Sequence, residues 1–127
     1  MSSIAWLLLA SAFLPLVATI TAKAGGSRFD NADPRRWLAS QEGFRARANA
    51  AQNNLFEGLP FYFAAVLFAL HQQVDPMAIR NAMLIWVVLR LIYIGCYLAN
   101  LAALRSLVWF ASVATVVYLV ALAGHLG

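Results

Sequence analysis

This chain is poor in thiols, charge and recognisable soluble-enzyme motifs. Cys96 is its only cysteine, which rules out an internal disulfide and any cysteine-rich metal site. Deep in an apolar stretch, it reads as a buried, inert thiol. Charged residues make up only 11% of the sequence, against about a quarter in a soluble domain. No phosphate-binding glycine motif, serine triad or metal-ligand spacing is found. Internal repeats and low-complexity tracts are missing too. His71 and His125 are too isolated for a metal site and read as interface residues. Five carboxylates stand against nine lysines and arginines, a net charge of +4. That excess calls for no nucleic acid, since a cationic loop suits an anionic membrane surface.

What the chain has is hydrocarbon. Apolar residues account for 63% of it. Ile4–Ala22, Leu55–Leu70, Ala82–Leu104 and Leu107–Leu126 are the long apolar stretches. A spanning helix needs roughly 20 such residues. The second stretch reaches that length only if its helix begins near Phe44. The pattern predicts helices over 3–23, 44–71, 77–102 and 105–126. The fold class is therefore an all-α membrane protein, a four-transmembrane-helix bundle forming a single domain over 1–127.

Orientation follows from basic residues in short loops. Lys23, Arg28, Arg35, Arg36 and Arg45 cluster between the first two spans, and Arg105 lies on the same side. The expectation is a cytoplasmic first loop with both termini outside. Compact loops without organelle signals suggest a bacterial inner membrane. Ala22-Lys23-Ala24 mimics a signal-peptide cleavage site. The start lacks a positive n-region, however, which favours a retained first helix.

Gly25-Gly26-Ser27 is expected to end the first helix, and Asp33-Pro34 to begin a short interfacial piece over Arg35–Ser40 with Trp37 at headgroup level. Pro60 should bend the second span. Asp75-Pro76 marks a turn. Residues 102–106 are expected to separate the last two spans, which then pack antiparallel. Arg80 most simply snorkels to the surface. Trp6, Trp86 and Trp109 read as lipid-facing or packing residues.

A polar stripe interrupts the second span: Arg47, Asn49, Gln52, Asn53, Asn54 and Glu57. Such groups are expensive at membrane depth and usually face a bundle interior or a ligand. At about 100° per residue, Arg47, Asn54 and Glu57 share one helix face. On the third span Arg90, Tyr93, Tyr97 and Asn100 fall within roughly 80° of each other. Glu57 is the one acid expected at the depth of Arg90, so an ion pair between them is predicted. From spacing alone, a ligand site and an interhelical packing network are equally good readings.

The run Arg47-Ala48-Asn49-Ala50-Ala51-Gln52-Asn53-Asn54-Leu55-Phe56-Glu57-Gly58-Leu59-Pro60 resembles the second-helix signature of the membrane-associated proteins in eicosanoid and glutathione metabolism (MAPEG). That signature is roughly Arg-Ala-His/Gln-x-Asn-x-x-Glu followed by Pro. Asn54, Glu57 and Pro60 match it in register. Arg90, Tyr93 and Tyr97 resemble the third-helix pattern, and Arg105 resembles the arginine near the start of the fourth helix. The resemblance covers essentially the whole chain and suggests a bacterial-type member.

It implies a homotrimer in the lipid bilayer, with glutathione as co-substrate held between subunits at the cytoplasmic side. The implied activity is a glutathione transferase or glutathione peroxidase acting on a lipophilic small molecule. By the resemblance, Gln52, Asn54, Glu57 and Tyr97 bind substrate, while Arg105 and Tyr93 are catalytic; the polar faces add Arg47 and Arg90 as candidate substrate-binding residues. Arg105 would stabilise the thiolate, the reactive form of a thiol. No metal is implied. The family arginine four residues before Asn54 is Ala50 here. Arg47 is the candidate replacement, and the other outcome is loss of glutathione binding. The alternative function is a non-catalytic protein of the same fold that binds another small anion or lipid. A small proton-coupled exporter is a third idea, disfavoured because Glu57 comes with a stack of amides and in-span arginines.

Overall fold

The computed structural model describes residues 2–24 and 29–126. The expected Gly25-Gly26-Ser27 helix stop and Arg28 lie outside the described residues. Among the described residues five helices follow one another: α1 Ser3–Lys23, α2 Pro34–Ala39, α3 Gly43–His71, α4 Pro76–Leu98 and α5 Ala102–Leu126. All but α2 are long and apolar enough to cross a membrane.

Local chemistry sets the starts. The Ser2 hydroxyl accepts from the Ala5 N–H at 3.3 Å. Asp33 accepts from the Arg36 N–H at 3.3 Å and Asp75 from the Met77 N–H at 3.4 Å, each followed by a proline at the first helical position. A capping oxygen satisfies one of the orphan donors of a helix end, and proline has no such donor to lose. The short α2 falls where a helical piece over Arg35–Ser40 was expected. α3 runs unbroken through Pro60.

Two stops share one geometry. After α3, Gln73 takes a φ of +57°, and the Val74 N–H reaches back to the Ala69 carbonyl. After α4, Asn100 takes a φ of +59°, and the Leu101 N–H reaches back to the Cys96 carbonyl. Both are left-handed caps that satisfy the last carbonyls of a helix. The second one corrects the boundary expected at 102. α4 ends at Leu98, and the link to α5 is 99–101 rather than 102–106. Asn100 thus leaves the helical face it was expected to share with Arg90.

The spans alternate in direction. Arg45 donates to the Ala22 and Ala24 carbonyls, which sets the start of α3 beside the end of α1. The end with α2 is therefore the arginine-rich one. α3 packs against α1, α2, α4 and α5. At its centre Tyr62 is fully buried and stacks on Trp86 with ring centroids 3.7 Å apart. The Tyr62 hydroxyl lies 2.9 Å from Ser11 Oγ, whose own proton goes to the Leu7 carbonyl. Trp6, Phe13, Ile20, Leu107 and Phe110 are exposed on the outside of the bundle. Cys96 is buried.

Tyr62 ties α1 to α4, so its loss is expected to be costly. Tyr62→Ala should destabilise the bundle by about 3–5 kcal/mol, and Tyr62→Phe by only about 1 kcal/mol. Denaturant unfolding in micelles, followed by tryptophan fluorescence, measures both.

Candidate functional site

The polar groups gather around Arg90, which is 2% exposed. A guanidinium inside a span needs acceptors or a π-face. Arg90 Nη2 donates to Asn54 Oδ1 at 2.7 Å. Its guanidinium carbon lies 4.6 Å from the Tyr93 ring centre and 5.7 Å from that of Trp86. Arg90 Nε is buried with no partner.

The predicted Glu57–Arg90 ion pair is absent. The arginine bonds to Asn54, one turn earlier on α3, and Glu57 is exposed on the protomer surface. The physical reason is that a charge-assisted bond to a neutral amide serves the buried cation without also stripping water from a carboxylate.

Two adjoining cavities open beside this centre. The first, of about 300 Å³, is lined by Asn54, Glu57 and Arg90 and by the apolar Phe61, Trp86, Trp109, Val113 and Val116. The second, of about 220 Å³, is lined by Asn54, Tyr93, Tyr97, Arg105, Ser106, Trp109 and Phe110. Asn54 and Trp109 belong to both walls. The Arg105 guanidinium lies over the Tyr97 ring at 4.4 Å, and the Tyr93 and Tyr97 rings meet edge to face at 5.5 Å. The result is a crevice with an apolar chamber and a polar, cationic chamber. Among the described residues no cluster of three His, Cys, Asp or Glu could hold a metal ion.

Asn54, Glu57, Arg90, Tyr93, Tyr97 and Arg105 are thus brought together. Two other sequence-predicted residues are not. Arg47 donates from Nε to the Tyr97 carbonyl at 3.0 Å and from Nη2 to the Leu98 carbonyl at 3.1 Å. It closes the C-terminus of α4, where cations are favoured, and does not line the crevice. Gln52 points to a separate pocket between α2 and α3, with Arg35, Asn49 and Asn53. Its Oε1 is buried without a partner.

Ser112 and Trp109 were not expected to line the site. Their signal was readable, since Arg105, Trp109, Ser112 and Val116 recur at spacings of four, three and four along α5, one helical face.

The fold and crevice define an integral membrane protein, a four-span bundle with a polar cleft between α3, α4 and α5. The chain belongs to the MAPEG family, whose model matches residues 3–125. A search of curated proteins finds no significant match.

Asn54→Ala is expected to destabilise the protein by about 1–3 kcal/mol, because it strands a buried cation. Glu57→Gln should leave stability within about 0.5 kcal/mol of the parent. Paired unfolding curves give both values, and the reverse order would restore the Glu57–Arg90 pair. Arg47→Ala should loosen the α4–α5 turn and speed amide hydrogen exchange at Ala99–Leu101.

Proposed function

We propose that this MAPEG protein uses the crevice to ionise glutathione and direct its sulfur at a lipophilic electrophile or hydroperoxide. The observation that carries the reading is the pair of adjoining chambers of opposite character, which share Asn54 and Trp109 as lining. The polar chamber offers a guanidinium and two phenols for an anionic, thiol-bearing guest. The apolar chamber offers aromatic and valine side chains for a substrate arriving from the bilayer.

Each group has a definable task in this reading. Asn54 and Glu57 hold the polar backbone of the tripeptide, with the carboxylate of Glu57 taking its ammonium group. Arg90, fixed by Asn54, adds positive potential behind them. Tyr93 and Tyr97 donate hydrogen bonds. Arg105 faces the sulfur. A free thiol with a pKa near 8.5 is mostly protonated at neutral pH. A nearby guanidinium favours the thiolate, which attacks the electrophile, forms the carbon–sulfur bond and expels the leaving group with its electron pair. With a hydroperoxide the thiolate sulfur attacks the terminal oxygen, the O–O bond breaks and the alcohol leaves as its alkoxide, which takes up a proton; a second glutathione thiol then displaces water from the sulfenic acid to give the disulfide.

Glu57 supports an oligomer. It sits midway along α3 and is exposed on the protomer. A carboxylate facing hydrocarbon is costly, which favours a neighbouring copy that closes the crevice beside it. A homotrimer, with one crevice at each boundary and the arginine-rich end in the cytoplasm of a bacterial inner membrane, is the assembly we propose.

One observation favours the second reading, a non-catalytic MAPEG-fold protein that binds another small anion or lipid. Ala50 stands in place of a family arginine, and Arg47 is engaged by the α4 carbonyls rather than free to replace it.

Glutathione titration of the detergent-purified protein separates the two readings. The expected result is saturable binding with an ultraviolet thiolate band at neutral pH and turnover of a reactive aryl halide. No binding at millimolar glutathione rejects the proposal. Arg105→Ala should keep binding but lower the thiolate fraction about tenfold or more.

A further inference from the structure

We propose that the groove between α4 and α5, at the end of the bundle where α4 begins, binds an acidic phospholipid whose phosphate sits on Arg80. The groove holds about 530 Å³ and lies among Ala78, Asn81, Ala82, Ile85, Thr115 and Tyr118. Small side chains on the two facing helices give it depth. Ile85, Val88, Val117 and Tyr118 around it are about half exposed, as befits a surface that meets hydrocarbon.

Charge identifies the occupant. Among the described residues Arg80 is the one lysine or arginine at this end of the bundle. It lies about 6 Å along the axis from the start of α4. Its Nη2 finds only Met77 Sδ at 3.1 Å and Asn81 Oδ1 at 3.4 Å. Its Nε is buried and has no partner. Both contacts are neutral, and among the described residues no carboxylate pairs with the guanidinium. Asp75, the described carboxylate nearest in sequence, accepts from the Met77 N–H instead. Asn81, which Arg80 touches, lines the groove.

An acidic lipid meets both requirements at once. Its phosphate accepts from the guanidinium, an arrangement that arginine forms well. Its acyl chain fills the groove, and Asn81 and Tyr118 can donate to its ester oxygens. This site is separate from the crevice around Arg90 and does not depend on glutathione chemistry.

Native mass spectrometry of the detergent-purified protein tests it, with dioleoyl phosphatidylglycerol and dioleoyl phosphatidylcholine as probes. The parent is expected to retain the acidic lipid in preference to the neutral one. Arg80→Gln should cut that preference roughly fivefold, the weight of one basic residue at an acidic membrane surface. Arg80→Lys should keep most of it, and Arg35→Gln, at the other end, should leave it unchanged. Ala114 also lines the groove, and Ala114→Leu, which fills it, should lower retention of both lipids. Equal retention of the two probes by the parent overturns the proposal. So does a preference that survives Arg80→Gln. A smaller oligomer on Ala114→Leu overturns it too, since it would put a second copy of the chain in the groove.

Discussion

A buried guanidinium governs the architecture around the crevice. Placing an arginine at the centre of a spanning helix costs about 2.5–3.5 kcal/mol on insertion scales. Arg90 is held inside the bundle by one charge-assisted bond to Asn54 and by the faces of Trp86 and Tyr93. Trp86 is in turn stacked on Tyr62, and Tyr62 is tied to Ser11 on α1. A chain of contacts therefore runs from α1 through α3 to α4. The crevice is built against a wall whose polar groups, Arg90 Nε apart, are engaged within the protomer.

That economy leaves other groups uncommitted. Glu57 is exposed, and the Tyr93 and Tyr97 hydroxyls and the Arg105 guanidinium have no hydrogen-bond partner among the described residues. A packing network would satisfy its members internally. Here Asn54 faces Arg90 while also lining both chambers, so one residue serves the structure and the proposed site together.

The spans were legible because bilayer thickness imposes a length that apolar runs display openly. The convergence of Asn54, Glu57, Arg90, Tyr93, Tyr97 and Arg105 was legible from helical periodicity together with the family resemblance. The rest was hidden for identifiable reasons. Arg47 bonds to carbonyls fifty or so residues away, and backbone acceptors have no residue signature. The stop at Asn100 lies inside an apolar run, where a single left-handed residue outweighed hydropathy. The Glu57–Arg90 pair was inferred from opposite charge at similar depth. Depth says nothing of which neighbour is better aimed, and Asn54 was.

The central claim is that the face carrying Glu57 borders a wet, guest-accepting crevice rather than a sealed contact. Glu57→Cys in a Cys96→Ala background, reacted in vesicles with a membrane-impermeant thiol reagent, tests it most directly. Rapid modification that slows as S-methylglutathione is added is expected, since that thioether cannot consume the reagent. A thiol that stays unreactive, or one whose rate ignores S-methylglutathione, would contradict a guest-accepting crevice.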